Sequence, residues 1–225
     1  MTQKQLIELI QQHHTKMGET ELRLALNRAQ DDFTAKTEII KTTYVQLSSP
    51  GKRYYNLDDQ ILRVLRVQIN DVDIPRLVSA PNIDDDEFDG ATGLTTPSSS
   101  SNDRYWYINS KRLGVVEKVT NAITRDDKIS DYQSISEEKE MRIYAMSQAT
   151  DFTTDLTEVS EIPSQFHDAL VYKVISDAYL RGTSATFNLQ ASQAFDMKYK
   201  ELVKDAKTHS RRNHTGSFTV RPTDF

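Results

Sequence analysis

The hydrophobic period of the chain changes twice, and this change constrains the possible folds more than any other feature of the sequence. Apolar residues first recur at helical spacing, then fall in β-branched and aromatic runs that tend towards alternation, and finally return to helical spacing. A helix buries a stripe of period 3.6, whereas a half-buried strand buries every second residue. The pattern therefore predicts helices towards both ends of the chain and a β-rich segment between them.

Helical spacing predicts four helices: one around Leu6–Ile10, a second from Glu19 to about Ile40, a third from Ser164 to about Arg181 and a fourth from about Phe187 to His209. Glu19 and Glu21 lie in the first turn of the second helix, where the helix dipole favours carboxylates. Gly182 is expected to separate the third helix from the fourth.

Short strands are predicted at Thr43–Leu47, Arg53–Leu57, Ile61–Ile69, Ile74–Val78, Arg104–Asn109, Leu113–Val119 and Met141–Met146. The first two surround Pro50 and Gly51, a pattern typical of a hairpin turn. A second tight turn is expected at Asp71–Asp73. Two polar segments, 79–103 and 120–139, are predicted to be long loops.

These elements predict an α+β fold in which the N- and C-terminal helices form a helical bundle, with a β-rich middle insertion and an extended C-terminal tail. The expected boundaries are 1–42 for the N-terminal helices, 43–150 for the insertion, 151–209 for the C-terminal helices and 210–225 for the tail.

The composition excludes several classes of protein. The absence of cysteine excludes disulfides, thiolate zinc sites and cysteine nucleophiles. Lys4 and Glu8 interrupt the first apolar segment, so no signal peptide is expected, and no apolar run approaches the roughly 20 residues that span a bilayer. A net charge of −5 argues against a general duplex-binding face. The low apolar fraction of 37% favours surfaces that neighbouring subunits complete.

The stretch EIPSQFHDALVY places His167 beside Asp168, which raises the question of a catalytic pair. Ser164 is a suitable N-cap, and His167 would then lie next to the buried stripe of the helix, as a boundary residue explained by packing. No G-x-S-x-G motif is present. Carboxylate pairs for glycoside hydrolysis stay open because nothing marks a specific pair. We therefore predict no catalytic residue and no cofactor.

The acidic run after residue 83 is the one weak candidate for a metal site. Asp85, Glu87 and Asp89 precede Gly90 as in the opening of a calcium loop, but Thr96 stands where a bidentate glutamate is required. A solvated acidic loop is the favoured interpretation. The adjacent histidines His13 and His14 point about 100° apart on a helix and do not predict a metal site.

The aromatic residues of the middle segment allow two interpretations. Tyr54, Tyr55, Tyr105, Trp106 and Tyr107 could stack on single-stranded nucleic acid, or they could pack a sheet. Alternation places Tyr105 and Tyr107 on one face and Trp106 on the other, and this favours sheet packing. The basic cluster at 198–212 complements the C-terminal end of a helix dipole, with phosphate binding as the alternative.

Four short motifs occur in a recognisable order. They are LNRAQDDF at 26–33, GKRYYNLDD at 51–59 leading into ILRVLRV at 61–67, RYWYINSKRL at 104–113, and EIPSQFHDALV at 161–171. Together they resemble the head–tail adaptor proteins of tailed bacteriophages, also called connector or neck ring proteins. The resemblance spans roughly residues 20–205, and the IP-x-x-FH-x-AL-V element is its most specific part.

The resemblance implies a non-enzymatic virion protein of the neck, assembled in the host cytoplasm. Such a protein forms a ring, expected to be a dodecamer, between the portal protein and the tail or a further neck protein. The ring extends the channel through which double-stranded DNA passes without specific binding. It also offers a platform for tail attachment.

Two sets of residues are assigned to this role. Asp84, Asp85, Asp86, Glu87 and Asp89 are expected to face the channel, where like charge prevents contacts with DNA phosphates. In the tail, the residues expected to bind the portal, by adding a strand to an exposed edge, are Phe218, Val220, Arg221 and Phe225. A disordered terminus is the alternative for the tail.

Two other functions are retained as alternatives. One is a cell-wall hydrolase associated with the phage neck. The other is a DNA-binding packaging module that uses the basic cluster at 198–212, including Arg211 and Arg212.

Overall fold

Two units make up the chain: a helical unit formed by Met1–Lys41 and Ser147–Phe225, and a β unit formed by Thr42–Met146. The computed structural model describes residues 1–78, 81, 104–125, 128–181 and 187–214. The described residues form four α-helices and two antiparallel sheets. The mixed α and β composition that the period change predicts is therefore confirmed.

The helical unit contains α1 (Gln3–Gln11), α2 (Glu19–Thr37), α3 (His167–Arg181) and α4 (Leu189–His214), and a short 3₁₀ turn at Ser164–Phe166 precedes α3. Thr2 caps α1 through a capping box with Gln5. All four helices contribute buried apolar side chains to one core, among them Leu6, Leu26, Phe33, Leu170 and Tyr199.

Two helix ends differ from the sequence-based expectation. Helix α2 ends at Thr37 and not near Ile40, because Glu38 adopts a left-handed conformation with φ of 49° and donates its backbone N–H to Thr34 O at 2.8 Å. Helix α4 extends to His214, five residues beyond the predicted end at His209. The predicted break at Gly182 lies outside the described residues.

The β unit contains β1 (Lys41–Leu47), β2 (Tyr54–Asn56), β3 (Ile61–Ile69), β4 (Val72–Ile74), β5 (Arg104–Asn109), β6 (Arg112–Arg125), β7 (Lys128–Ser134) and β8 (Glu140–Ser147). The first sheet has the order β1-β8-β3-β4, and the second has the order β2-β6-β5 with β7 also paired to β6. Both sheets contribute to one core, which includes Val67, Trp106, Leu113 and Ile143.

The predicted hairpin around Pro50 and Gly51 is wrong, although both of its strands exist. β1 pairs with β8 in the first sheet, and β2 pairs with β6 in the second. The backbone groups between the two strands bond elsewhere: Ser48 N donates to Lys139 O at 2.8 Å, and Gly51 N donates to Ile135 O at 3.0 Å. The Pro-Gly turn therefore leads the chain from one sheet to the other.

The tight turn expected at Asp71–Asp73 lies one to two residues earlier. Asn70 and Asp71 have φ of 49° and 63°, and they connect the paired residues Ile69 and Val72. Two consecutive residues with positive φ match the twist of antiparallel strands, as in a type I′ hairpin turn. Val72 and Asp73 consequently belong to strand β4 and not to the turn.

The predicted long loop at 120–139 is wrong over most of its length. Strand β6 continues to Arg125 and pairs with β7, with a register irregularity between Lys118 and Ile123. The strands were missed because this segment is polar, and antiparallel pairing needs backbone hydrogen bonds and not an apolar run. The other predicted loop, 79–103, lies almost entirely outside the described residues.

The aromatic residues pack the β unit as the alternation predicts. Trp106 belongs to the core between the two sheets, whereas Tyr107 packs with Tyr54 and, more loosely, Tyr105 in a second cluster. Tyr55, Trp106 and Tyr107 are almost fully buried, so these rings are not available to stack on nucleic acid bases.

Candidate interaction surfaces

His167 is a buried structural residue in the helical unit. Its side chain is only 1% exposed, and Nε2 lies 2.7 Å from the carbonyl oxygen of Ile162 while Nδ1 lies 2.7 Å from the amino nitrogen of Met1. Burial, with a smaller effect of the terminal ammonium, lowers the pKa of His167 although the bond to Ile162 opposes the shift. The ring is thus held neutral, with Nε2–H donating to Ile162.

The sequence interpretation of this motif needs two corrections. His167 is buried and does not lie at a boundary, because the chain before it folds back over the ring. Ser164 lies within the 3₁₀ turn and does not cap the helix, which begins at His167. The conclusion that packing explains this histidine is unchanged.

The polar residues of the LNRAQDDF motif hold the segment that precedes α3. Asn27 donates to Phe152 O at 3.2 Å and accepts from Phe152 N at 3.0 Å, while Gln30 donates to Thr150 O and accepts from Ser160. Each of these bonds joins α2 to residues more than 100 positions later in the chain. The motif therefore stabilises the fold of the helical unit within one subunit.

Asp32 joins α2 to α4 in the same unit. Its carboxylate accepts from Tyr199 Oη at 2.7 Å and from Lys36 Nζ at 2.7 Å. Burial favours a higher pKa for Asp32, but the bonds from Lys36 and Tyr199 outweigh it and hold the pKa below its usual value. Burial and the adjacent carboxylate raise the pKa of Tyr199.

A basic groove opens between the loop after α1, helix α2 and helix α3. Its volume is about 520 Å³, and its apolar floor is formed by Met17, Ala25, Val174 and Ala178. The cations on its rim are Lys16, Arg28 and Arg181, and none of the three forms an ion pair within the described part of the chain. We call this site the basic groove.

The basic groove also contains carboxylates, but they do not neutralise the rim. Asp177 is paired with Lys173 at 2.9 Å, which leaves Glu21 as the one lining carboxylate without an ion pair among the described residues. The three unpaired cations therefore give the groove a positive character in a chain whose net charge is −5.

Two histidines line one wall of the groove. His14 packs edge-on against Tyr179 with ring centroids 4.5 Å apart, and His13 packs edge-on against Phe195 at 5.2 Å. Burial, with a smaller effect of His13, lowers the pKa of His14. The Nε2 atom of His14 is buried and has no hydrogen-bond partner among the residues described.

Residues 151–161 form an acidic segment on the same unit. Asp151, Asp155, Glu158 and Glu161 form no ion pair with any lysine or arginine that the structure describes. Glu158 accepts from Thr153 N at 2.7 Å and so fixes the local backbone. Burial and the nearby Asp151 raise the pKa of Asp31. The apolar side chain of Val159 stands among these carboxylates and is 58% exposed.

Strand β1 is the outer strand of its sheet in the described part of the β unit. Val45 and Leu47 on this strand are 60% and 59% exposed. An outer strand with exposed apolar side chains is suited to strand addition by a partner.

The basic cluster at 198–212 is partly engaged within the subunit. Lys198 lies over the rings of Tyr172 and Phe195, and Lys200 pairs with Asp196 at 2.6 Å. Lys36, Lys204 and Lys207 line a separate cavity of about 370 Å³ beside α4.

The site residues predicted from the sequence do not belong to these surfaces and stay predictions. The acidic residues Asp84, Asp85, Asp86, Glu87 and Asp89 and the tail residues Phe218, Val220, Arg221 and Phe225 all lie outside the described residues. Within the described ranges, no group of three or more histidine, aspartate or glutamate side chains could hold a metal ion. Nor does any described helix have the length and apolar content needed to cross a bilayer.

Sequence reasoning missed the basic groove altogether. Its rim residues Lys16, Arg28 and Arg181 are far apart in the chain, and no motif connects them. Only the spacing of Glu21, Ala25 and Arg28 on one face of α2 offered a signal, and it is common to any polar helix face.

Comparison with known proteins identifies one family. A family model described as the SU10 adaptor protein matches residues 1–221, which include nearly all of both units. A search of curated proteins gives no significant match. The match confirms the resemblance that the four short motifs indicate.

Proposed function

The chain belongs to the SU10 adaptor protein family, a family of phage head–tail adaptors, and we propose that its copies form a ring between the portal and the tail. A structural adaptor role in the virion neck follows from the family. The ring, its contact with the portal and its extension of the DNA channel are our proposal. The family match over 1–221 is the observation that carries it.

The surface of the subunit supports assembly with other copies. Large apolar side chains are exposed at several places in both units, namely Val45, Leu47, Val159, Phe187, Leu189 and Met197. A head-to-tail contact that closes on itself buries such residues in every copy, and closed rings arise when the rotation between copies completes a circle. The low apolar fraction of 37% agrees with burial that neighbours complete.

Electron microscopy of the protein with its portal tests the ring directly. We expect a ring coaxial with the portal, and the number of copies follows from its symmetry. A protein that binds the portal as a single copy would contradict the proposal. The expected dodecamer is tested by the same images.

The C-terminal tail is proposed to attach the ring to the portal. Phe218, Val220 and Phe225 supply apolar side chains for strand addition to an exposed edge. Deletion of residues 216–225 should leave the subunit folded and weaken its attachment to portal-bearing heads. Unchanged attachment of the shortened chain would refute the docking role.

The acidic run at 84–89 is proposed to face the channel, where its charge keeps DNA mobile. Duplex DNA should then show no appreciable affinity for the protein at physiological salt. The cavity lined by Lys36, Lys204 and Lys207 favours the second candidate function, a DNA-binding packaging module. That function requires salt-dependent binding that weakens when Arg211 and Arg212 are replaced.

The absence of catalytic activity stays a prediction. Zymography on peptidoglycan should show no clearing by the purified protein. Clearing that disappears on replacement of a single carboxylate would instead identify a hydrolase.

A further inference from the structure

We propose that the basic groove of one copy receives the acidic segment, residues 151–161, of the next copy. The proposal rests on the proposed ring and names the surfaces that form it. Both surfaces lie within the helical unit, and both consist of described residues. The contact is head-to-tail, because the groove and the segment are different surfaces of one subunit.

Glu158 and Val159 of the acidic segment lie at the opposite end of α1 from the groove histidines. The acidic segment is fixed at the N-terminal end, where Gln3 N donates to Glu158 O at 2.7 Å and Thr2 forms a β-bridge with Val159. At the other end, His13 and His14 follow the last turn of α1 and line the groove. A helix of nine residues is about 13 Å long. Val159, held at Thr2, therefore does not enter the groove of its own subunit.

The charges of the two surfaces are complementary. The groove rim carries the unpaired cations Lys16, Arg28 and Arg181, and the segment carries Asp151, Asp155 and Glu161, all of them exposed. Within one subunit, no described ion pair neutralises the cations of the groove or the carboxylates of the segment. Contact between two copies brings each set opposite the other, and such complementarity fixes the register of an interface.

The apolar parts of the two surfaces also match. Val159 is the one strongly exposed large apolar side chain of the segment, and the groove has a floor of Met17, Ala25, Val174 and Ala178. Contact of Val159 with this floor, in a cavity of about 520 Å³, removes apolar surface from water on both sides.

Charge reversal with mixing tests the contact. One variant carries Arg28→Glu with Arg181→Glu in the groove, and the other carries Asp151→Lys with Glu161→Lys in the segment. Each alone places like charges opposite each other, so the concentration for half-assembly should rise by roughly tenfold or more. A 1:1 mixture should restore assembly, because the reversed groove accepts the reversed segment and the native groove accepts the native segment.

Sedimentation velocity measures these assembly states. A control that reverses Lys111 and Lys118, both exposed on the β unit, should assemble as the unaltered chain does. Restoration on mixing occurs only if the contact joins different copies.

A matched pair of valine variants tests the apolar anchor. Val159→Asp should prevent assembly, whereas Val72→Asp, at an exposed valine of the β unit, should not. Equal effects of the two substitutions would overturn the assignment of Val159.

Cysteine cross-linking tests the contact in assembled particles, since the native chain has no cysteine. Val159→Cys combined with Ala25→Cys should give a ladder of covalent oligomers on oxidation, whereas Val72→Cys with Ala25→Cys should not. Particles that hold several copies and give no ladder would refute this contact and leave the ring intact. Particles that hold a single copy would refute the ring and the contact together.

Discussion

Glu117 and Arg104 form an ion pair inside the β unit, on paired positions of β6 and β5. Arg104 Nε donates to Glu117 Oε1 at 2.8 Å, and the side chains are only 8% and 4% exposed. Ser136 donates to the second carboxylate oxygen at 3.1 Å. Both charges have lost water, so each depends on the other for its stability in the folded state.

Glu117→Ala should lower the free energy of unfolding by about 3–5 kcal/mol, because it leaves the Arg104 guanidinium buried without its carboxylate. Chemical denaturation measures the change. Asp59→Ala is the matched control, since Asp59 pairs with Lys111 at 3.5 Å where both side chains are almost fully exposed. This substitution should leave stability nearly unchanged. Equal losses from both substitutions would contradict the assignment.

His167 should make stability depend on pH near neutrality. Its pKa is lowered in the folded state from an ordinary value of 6.5, so the unfolded chain binds more protons in this range. The free energy of unfolding therefore rises with pH through this window. The stabilisation due to neutral His167 is fully present above about pH 6.5 and is lost as the pH falls below that value.

His167→Gln should flatten this dependence between about pH 5 and pH 7, as measured by denaturation at several pH values. The pKa of His14 is also lowered by burial, so the part of the slope that His14 supplies should remain in this variant. An unchanged slope in the His167 variant would show that another group controls the response.

Gly114 determines how closely strands β2, β6 and β5 pack. It is paired with Tyr54 on one side and Tyr107 on the other, and a Cβ atom at this position would lie 2.3 Å from the Tyr107 ring. The Tyr107 and Tyr54 hydroxyls are 3.3 Å apart. The tyrosine ring thus occupies the space that a side chain at 114 would need.

Gly114→Ala should therefore destabilise the β unit by about 1–3 kcal/mol through overpacking. Thermal unfolding measures the effect. Gly18→Ala, at a position with nothing within 4 Å of the added methyl group, is the control and should change stability much less. A neutral Gly114 variant would mean that the sheet shifts without cost.

Sequence periodicity predicts elements better than it predicts their partners. The helices are found because Leu22, Leu26 and Phe33 recur on one face of α2, and burial of that face is what the pattern measures. The pairing of β1 with β8 is not visible, since it depends on residues about 100 positions apart. The Pro-Gly signal between β1 and β2 is local, and the hydrogen bonds to Lys139 and Ile135 override it.

The same limit applies to the surfaces. The basic groove joins residues that no local pattern connects, so sequence alone could not find it. The composition does indicate that the chain assembles with other subunits, because a low apolar fraction favours surfaces that neighbouring subunits complete. The motif with His167 was recognised by its spacing, while its burial followed only from the fold.

The two units are joined by adjacent stretches of backbone. Ser147 N donates to Ile40 O at 3.1 Å, so the chain leaves the helical unit and returns to it at neighbouring positions. Removing the segment between these positions therefore opens no gap in the helical core.

Replacing residues 42–146 by two glycines should leave the helical unit folded. Circular dichroism should show a helical protein that unfolds cooperatively, because the helical core draws its side chains from outside the deleted segment. Adding Leu170→Asp to this shortened chain should abolish the cooperative transition, since Leu170 is fully buried. A shortened chain without helical signal would show that the helical unit requires the insertion.

This insertion also has a consequence for synthesis on the ribosome. The β unit is one continuous stretch, so all of its strands have emerged before α3 is translated. Helices α1 and α2 emerge first but must wait for α3 and α4, and their apolar faces, with Leu22 and Phe33, stay uncovered meanwhile. We expect the β unit to fold first during translation, and the two nascent helices to be the stretch on which a chaperone acts.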